Sequence, residues 1–160
     1  PHCGACPLSR RCVALQQERV SELPTPKPRR VLPVKAVQML LILSPGGELL
    51  LEKRPPTGVW GGLWSLPECP DEEATATWPQ RQLGEQGFIE ARWPVRRHTF
   101  SHYHLDIAPI VIRVNNNVTR VLEGEVRVWY NSANPDTRGL AAPVSRLIDE
   151  LKLYLEGVAE

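Results

Sequence analysis

Methionine occurs once, phenylalanine twice and tyrosine three times in this 160-residue chain, and aromatic residues make up only 6% of it. No apolar run approaches the roughly 18 residues a membrane-spanning helix requires. The longest, Met39 to Leu43, has the length of a buried strand. Net charge is almost absent at +1, so any affinity for a polyanion must come from local segregation of charge. A secretion signal is not expected, because residues 1–12 are cysteine-rich and basic instead of a charged start followed by an apolar stretch. The chain opens on Pro1 and not on Met, as a processed product or an excised fragment does. What remains, 42% hydrophobic and 23% charged, is the composition of a globular protein. The length suits one domain of about 100–150 residues with a short appendage.

Proline is the residue in excess, 16 in all, which predicts many loops and short strands. Charge is segregated as well. Residues 24–35 carry Lys27, Arg29, Arg30 and Lys35 with no acid, residues 68–91 carry six acids against Arg81, and residues 92–120 carry five arginines against Asp106. Two basic stretches can attract a polyanion through the field over one face, or they are merely solvated surface.

Cys3, Cys6 and Cys12 form a C-x2-C-x5-C cluster, while Cys69 stands alone. Three thiols so close cannot all pair with one another, which argues against a disulfide framework and toward metal in a reducing compartment. Zinc wants a fourth ligand, for which His2, adjacent to Cys3, is poorly placed. An iron–sulfur cluster wants a fourth cysteine, which could lie upstream of Pro1. Cys69 reads as an inert core or loop thiol.

Residues 8–23 predict a short helix leaving the cysteine knuckle. Residues 24–33 hold four prolines in ten positions, an extended linker and the best boundary in the chain. VKAVQMLLIL and ELLLEKR are apolar runs separated by Ser44-Pro45-Gly46-Gly47, a hairpin signal, and a third strand is expected near Leu63 to Leu66. Residues 71–88 are acidic and weakly helical, with Pro79 expected in the first turn of a helix running to about Gly87. Further strands are expected at roughly 90–100, 103–114 and 125–131. The apolar parity changes across Pro109, from Leu105 and Ile107 to Ile110, Ile112 and Val114, which predicts a bulge. From Pro143 onward Val144, Leu147, Ile148, Leu151, Tyr154, Leu155 and Val158 recur at helical spacing. The sum over residues 34–160 is an α+β domain, a mixed β-sheet with flanking helices.

Two stretches carry chemistry. Residues 54–68, RPPTGVWGGLWSLPE, read as a glycine-hinged loop anchored by Trp60 and Trp64. Residues 97–106, RHTFSHYHLD, contain His98, His102 and His104, which invite a metal reading with Asp106 as the only acidic partner nearby. The same stretch holds the parts of a nucleic-acid reader. Phe100 can wedge into a base stack, the Ser101 hydroxyl can read a base edge, and Arg96 and Arg97 supply cations. The bland alternative keeps Phe100 in the core and Ser101 in a turn.

Four stretches, taken in order, resemble the C-terminal portion of the A/G-specific adenine DNA glycosylases, the MutY family. Cys3, Cys6 and Cys12 resemble the last three ligands of its four-cysteine loop. Trp60-Gly61-Gly62-Leu63-Trp64 followed by Pro67-Glu68 resembles its glycine–tryptophan signature. Phe100-Ser101-His102 resembles its 8-oxoguanine-reading loop. Trp129-Tyr130 followed by Gly139-Leu140-Ala141-Ala142-Pro143-Val144 resembles the approach to its terminal helix.

The resemblance implies a Nudix-like (MutT-like) fold used for recognition instead of hydrolysis, preceded by a short cysteine-rich segment. It divides the chain into a remnant of the iron–sulfur loop with a short helix (1–23), the linker (24–33) and an 8-oxoguanine recognition domain (34–160). It makes Phe100, Ser101 and His102 the lesion readers, with Arg96 and Arg97 attracting phosphate. Cys3, Cys6 and Cys12 become three ligands of a [4Fe–4S] cluster whose fourth cysteine lies upstream. The implied partner is double-stranded DNA carrying 8-oxoguanine opposite adenine, bound by a monomer in the bacterial cytoplasm, associated with the nucleoid. The family hydrolyses the N-glycosidic bond of the mispaired adenine with an Asp and a Glu on an upstream helix-hairpin-helix domain. The resemblance therefore assigns no catalytic residue here and predicts an inactive fragment.

Two other readings stay open. A Nudix pyrophosphohydrolase of oxidised nucleotides needs a helix bearing several glutamates to hold divalent metal, whereas ATWPQRQLGEQGF offers Glu85 alone. A zinc-binding interaction module would use the proline-rich linker as a docking peptide.

Overall fold

The computed structural model describes residues 1–25, 31–116 and 126–158, apart from the side chains of residues 72–74 and 158. The chain divides into two compact units, Pro1–Val31 and Leu32–Glu160. In the first, 3₁₀ turns at Cys3–Ala5 and Ser9–Arg11 lead into a single helical turn, α1 (Val13–Gln16), and a further 3₁₀ turn at Val20–Glu22. The helix expected over 8–23 is therefore broken. Glu18 adopts a left-handed φ of 58°. The Glu18 N–H then donates to the Leu15 carbonyl at 3.2 Å and the Arg19 N–H to the Ala14 carbonyl at 2.8 Å. This paired bonding is the Schellman arrangement that ends a helix, here with glutamate where glycine is usual. The central linker residues 26–30, including Lys27, Arg29 and Arg30, lie outside the described residues.

The second unit is built on one mixed sheet of eight strands. They are β1 (Val34–Leu43), β2 (Leu49–Lys53), β3 (Trp64–Ser65), β4 (Glu68–Cys69), β5 (Gly87–Arg92), β6 (Arg96–Thr99), β7 (His104–Val114) and β8 (Arg127–Tyr130). The main path runs β3-β2-β1-β7-β5, with β4 on β1, β6 on β7 and β8 on β2. At its centre β1 and β7 run parallel in unbroken register from Val34↔His104 to Leu43↔Arg113. The other strand pairs are antiparallel. Two helices, α2 (Glu72–Leu83) and α3 (Ala142–Val158), cover the sheet.

Met39, Leu41 and Leu43 pack with Val144, Leu147 and Leu151 of α3, whereas Leu40 and Ile42 pack with Trp78 and Leu83 of α2. A strand covered on both faces loses polar alternation, and this is why β1 reads as a continuous apolar run. The same two-sided burial corrects the bulge expected at Pro109. Leu105, Ile107 and Val111 belong to the α3-side core and Ile110, Ile112 and Val114 to the α2-side core, on a strand in continuous register. The irregularity sits on the neighbour, where β5 skips Glu90 between Ile89 and Ala91.

The strand expected at 90–100 is two strands, β5 and β6, interrupted at Trp93-Pro94, because Pro94 has no N–H to give a ladder. Pro79 lies inside α2 and not in its first turn, because the helix starts seven residues earlier at Glu72. The Ser44–Gly47 hairpin, the short third strand and the terminal helix form as expected. Residues 117–125, which include Arg120 and the start of the strand expected at 125–131, lie outside the described residues. No described helix is long and apolar enough to cross a membrane.

Candidate nucleic-acid interface

β6 and β7 close a hairpin in which Thr99 faces His104 and the Phe100 N–H donates to the Tyr103 carbonyl at 2.9 Å. Ser101 and His102 are therefore the two tip residues, and both are exposed. Ser101 Oγ stands 3.4 Å from His102 Nδ1, at the outer limit for a hydrogen bond, so its hydroxyl is nearly uncommitted. Phe100, just behind the tip, is half-buried. Its ring packs against His98 (centroids 4.6 Å, 74°), Tyr103 (4.7 Å) and Trp60 (5.4 Å). Lys35, exposed at the start of β1, lies 4.8 Å from the Tyr103 ring centroid. The tip thus stands on an aromatic base rimmed by a cation.

Trp60 reaches this base through an unusual backbone. Its φ is 57°, and Gly58 and Gly62 beside it are at 92° and 75°. A bulky residue held left-handed costs on the order of 1–3 kcal/mol and persists only where its surroundings over-determine it. Here the ring is held by His98 and Phe100, and Arg54 lies 5.7 Å from its centroid. Arg54 also donates from Nε to the Val59 carbonyl at 3.0 Å and pairs with Glu68. Glycine is required at 61, where a Cβ would lie 2.5 Å from the Pro56 carbonyl oxygen. The loop is tied to the approach of α3 by Trp64 N–H to Gly139 O (2.9 Å) and Ala141 N–H to Trp64 O (3.2 Å). Two motifs far apart in sequence are thereby one structure.

Arg96 and Arg97 are not free cations. Arg97 bonds Asp106, directly opposite it on β7, through Nε at 2.6 Å and a second nitrogen at 2.7 Å. That hydrogen bond is the main cause holding the Asp106 carboxyl below its ordinary range and the guanidinium above its own. Arg96 pairs with Glu150 of α3 at 2.6 Å.

The three histidines do not converge on metal. Residues opposite one another on paired strands share a face, so His98 goes with Leu105, whereas His104 and Asp106 go with Thr99 and Arg97 on the other face. His104 Nδ1 is 2.9 Å from Thr99 Oγ1. Among the described residues no group of three or more His, Cys, Asp or Glu side chains could hold a metal ion. Cys3, Cys6 and Cys12 are free thiols and Cys69 is buried. Three thiols are one ligand short of a four-thiolate cluster.

Sequence reasoning found the hairpin tip but not its support. The contacts of Trp60 with Phe100, of Lys35 with Tyr103 and of Arg96 with α3 join residues from distant elements, and no local pattern signals them. Nor did it single out Arg146 of α3, which shares a cavity with β6.

Comparison with known proteins gives the fold a family and a set of relatives. The family pattern described as NUDIX domain matches residues 38–150. The adenine DNA glycosylase of Buchnera aphidicola subsp. Acyrthosiphon pisum (strain APS) is 27% identical over 152 residues, covering 95% of this chain and 43% of that protein. The chain thus spans less than half the length of the curated relatives it matches. Among solved structures, the Nudix hydrolase RenU from M. smegmatis superposes with a TM-score of 0.58 at 15% identity, covering 81% of this chain and 92% of that one. The C-terminal domain of mouse MUTYH, solved in complex with human PCNA, superposes with a TM-score of 0.54 at 14% identity, covering 76% and 89%.

Proposed function

From the premise that this chain belongs to the NUDIX domain family, we propose that it is the DNA-binding, lesion-recognising part of a longer adenine DNA glycosylase of base excision repair. The observation that carries the reading is the β6–β7 tip, an exposed serine and histidine raised on a half-buried aromatic cluster. 8-Oxoguanine differs from guanine by an acceptor at O8 and a proton on N7. The Ser101 hydroxyl can donate to the first or accept from the second. Phe100 can slide beside the lesion and hold a bent duplex open. Similarity to a curated adenine DNA glycosylase along 95% of the chain supports the same reading.

The pyrophosphohydrolase alternative needs several carboxylates along one helix, whereas α2 has Glu72 and Glu73 at its start and no acidic residue from Ala74 to Leu83. In the longer protein, hydrolysis of the adenine N-glycosidic bond would belong to a part outside these residues. Cys3, Cys6 and Cys12 would join an upstream cysteine around a [4Fe–4S] cluster, and no step of the reading passes through it. The partner is duplex DNA with 8-oxoguanine opposite adenine, met by a monomer in the cytoplasm.

The test is a binding comparison on duplexes with A opposite 8-oxoguanine or opposite guanine. An edge contact of this kind is worth about 1–3 kcal/mol of discrimination, so the Phe100→Ala, Ser101→Ala double variant should bring the two duplexes toward equal affinity. A correctly folded double variant that keeps the full preference sinks the reading.

A further inference from the structure

We propose that the cavity between β6 and α3 is a single-phosphate site; resting on the reading above, its ligand is a phosphodiester of the same duplex. The cavity is about 290 Å³, floored by Ile107 and Leu147 and rimmed by Arg96, His98, Arg146 and Glu150. Its charges do not balance. Arg96 is taken by Glu150 at 2.6 Å. Arg97, which also lines the cavity, has its guanidinium committed to Asp106. Arg146 is exposed and has no carboxylate partner among the described residues. One guanidinium is therefore uncompensated, matching the charge of one phosphodiester. Its planar fork of N–H donors fits two phosphate oxygens.

The spacing suits one strand of DNA. Ser101 at the tip lies three residues beyond His98 on the rim. The two are therefore at most about 10 Å apart along the chain, within roughly three nucleotides at 3.4 Å per step. A base read at the tip and a phosphate held in the cavity can thus belong to one backbone.

The experiment measures duplex affinity by fluorescence anisotropy across a salt series, on 8-oxoguanine and guanine duplexes. Arg146→Ala should weaken both duplexes alike and reduce the slope of log K against log salt by about 0.9, the loss of one phosphate contact. Arg146→Lys should keep the slope, and Glu150→Gln, by releasing Arg96, should tighten both duplexes. Arg81→Ala is the control for net charge, since Arg81 is exposed on α2 at the other face of the sheet. A normal slope in Arg146→Ala, or an equal loss in Arg81→Ala, overturns the proposal. A titration with inorganic phosphate, followed on the His98 imidazole by NMR, separates the site from the reading. No shift in the parent chain overturns the site outright. A shift that Arg146→Ala abolishes, in a chain that binds no duplex, keeps the site and overturns its backbone source together with the DNA-binding reading.

Discussion

Gly61 carries more of the site than its size suggests. It lies between a left-handed Trp60 and a left-handed Gly62, and the space a side chain needs is filled by the backbone of Pro55 and Pro56. A backbone wall cannot swing aside as a side-chain end can. Gly61→Ala should therefore destabilise the chain by roughly 1–3 kcal/mol, the usual cost of overpacking, read as a lower midpoint in urea. An unchanged midpoint would show the 54–64 loop to be softer than its contacts imply. At the same scale, the proposed reading has Ser101 function by being left alone. A hydroxyl without a firm internal partner retains both its donor and its acceptor for a base edge.

Among the elements, the β5 irregularity ties the sheet to the C-terminal helix. Skipping one residue leaves Glu90 reaching Arg113 of β7 at 2.6 Å, while Tyr154 of α3 donates its hydroxyl to the same carboxylate at 3.1 Å. The Arg113 hydrogen bond is the main cause lowering the Glu90 pKa, against the opposing effect of burial. A carboxylate whose folded pKa is depressed contributes stability at pH values above its unfolded pKa, about 4.3. That contribution is lost as pH falls from there through the folded value. Urea unfolding between pH 6 and 3 should thus show stability falling below about pH 4.5. Glu90→Gln should flatten that fall without abolishing it, because Asp106 is depressed in the same direction by Arg97. A variant as steep as the parent would remove Glu90 from the account.

For the molecule as a whole, the proposed reading puts the chemistry of this NUDIX domain on a hairpin of the sheet and not on the helix α2. The chain covers 43% of a curated adenine DNA glycosylase, and on the proposed reading bond cleavage belongs to the remainder. These 160 residues should release no adenine from an A:8-oxoguanine duplex and should not hydrolyse oxidised dGTP. Turnover of either substrate by the purified chain, at a rate tracking its concentration through a sizing column, would place the chemistry within it. Among the described residues, ion pairs between elements, Arg127 to Glu52 at 2.5 Å and Arg113 to Glu90 among them, commit several guanidinium groups. The near-zero net charge thus coexists with a cavity lined by Arg96, Arg97 and Arg146.

The local patterns in the chain were enough to specify the α+β class, the β1–β2 hairpin, the terminal helix and the strand–loop–strand junction that holds Phe100, Ser101 and His102. Period, turn chemistry and contiguous motifs all act over a few residues, so the sequence states them directly. Tertiary structure alone decided the rest. Two-sided burial turned an apparent bulge at Pro109 into a regular strand and moved the irregularity to Glu90. A Schellman closure at Glu18 cut a sixteen-residue helical expectation to one turn. Pairing between β6 and β7 sent Arg97 to Asp106, and packing of α3 brought Arg146 to the cavity beside Arg96. Trp60 meets Phe100 across forty positions of chain, because which faces cover one another is set by the packing of the whole sheet and not by any residue's neighbours in sequence.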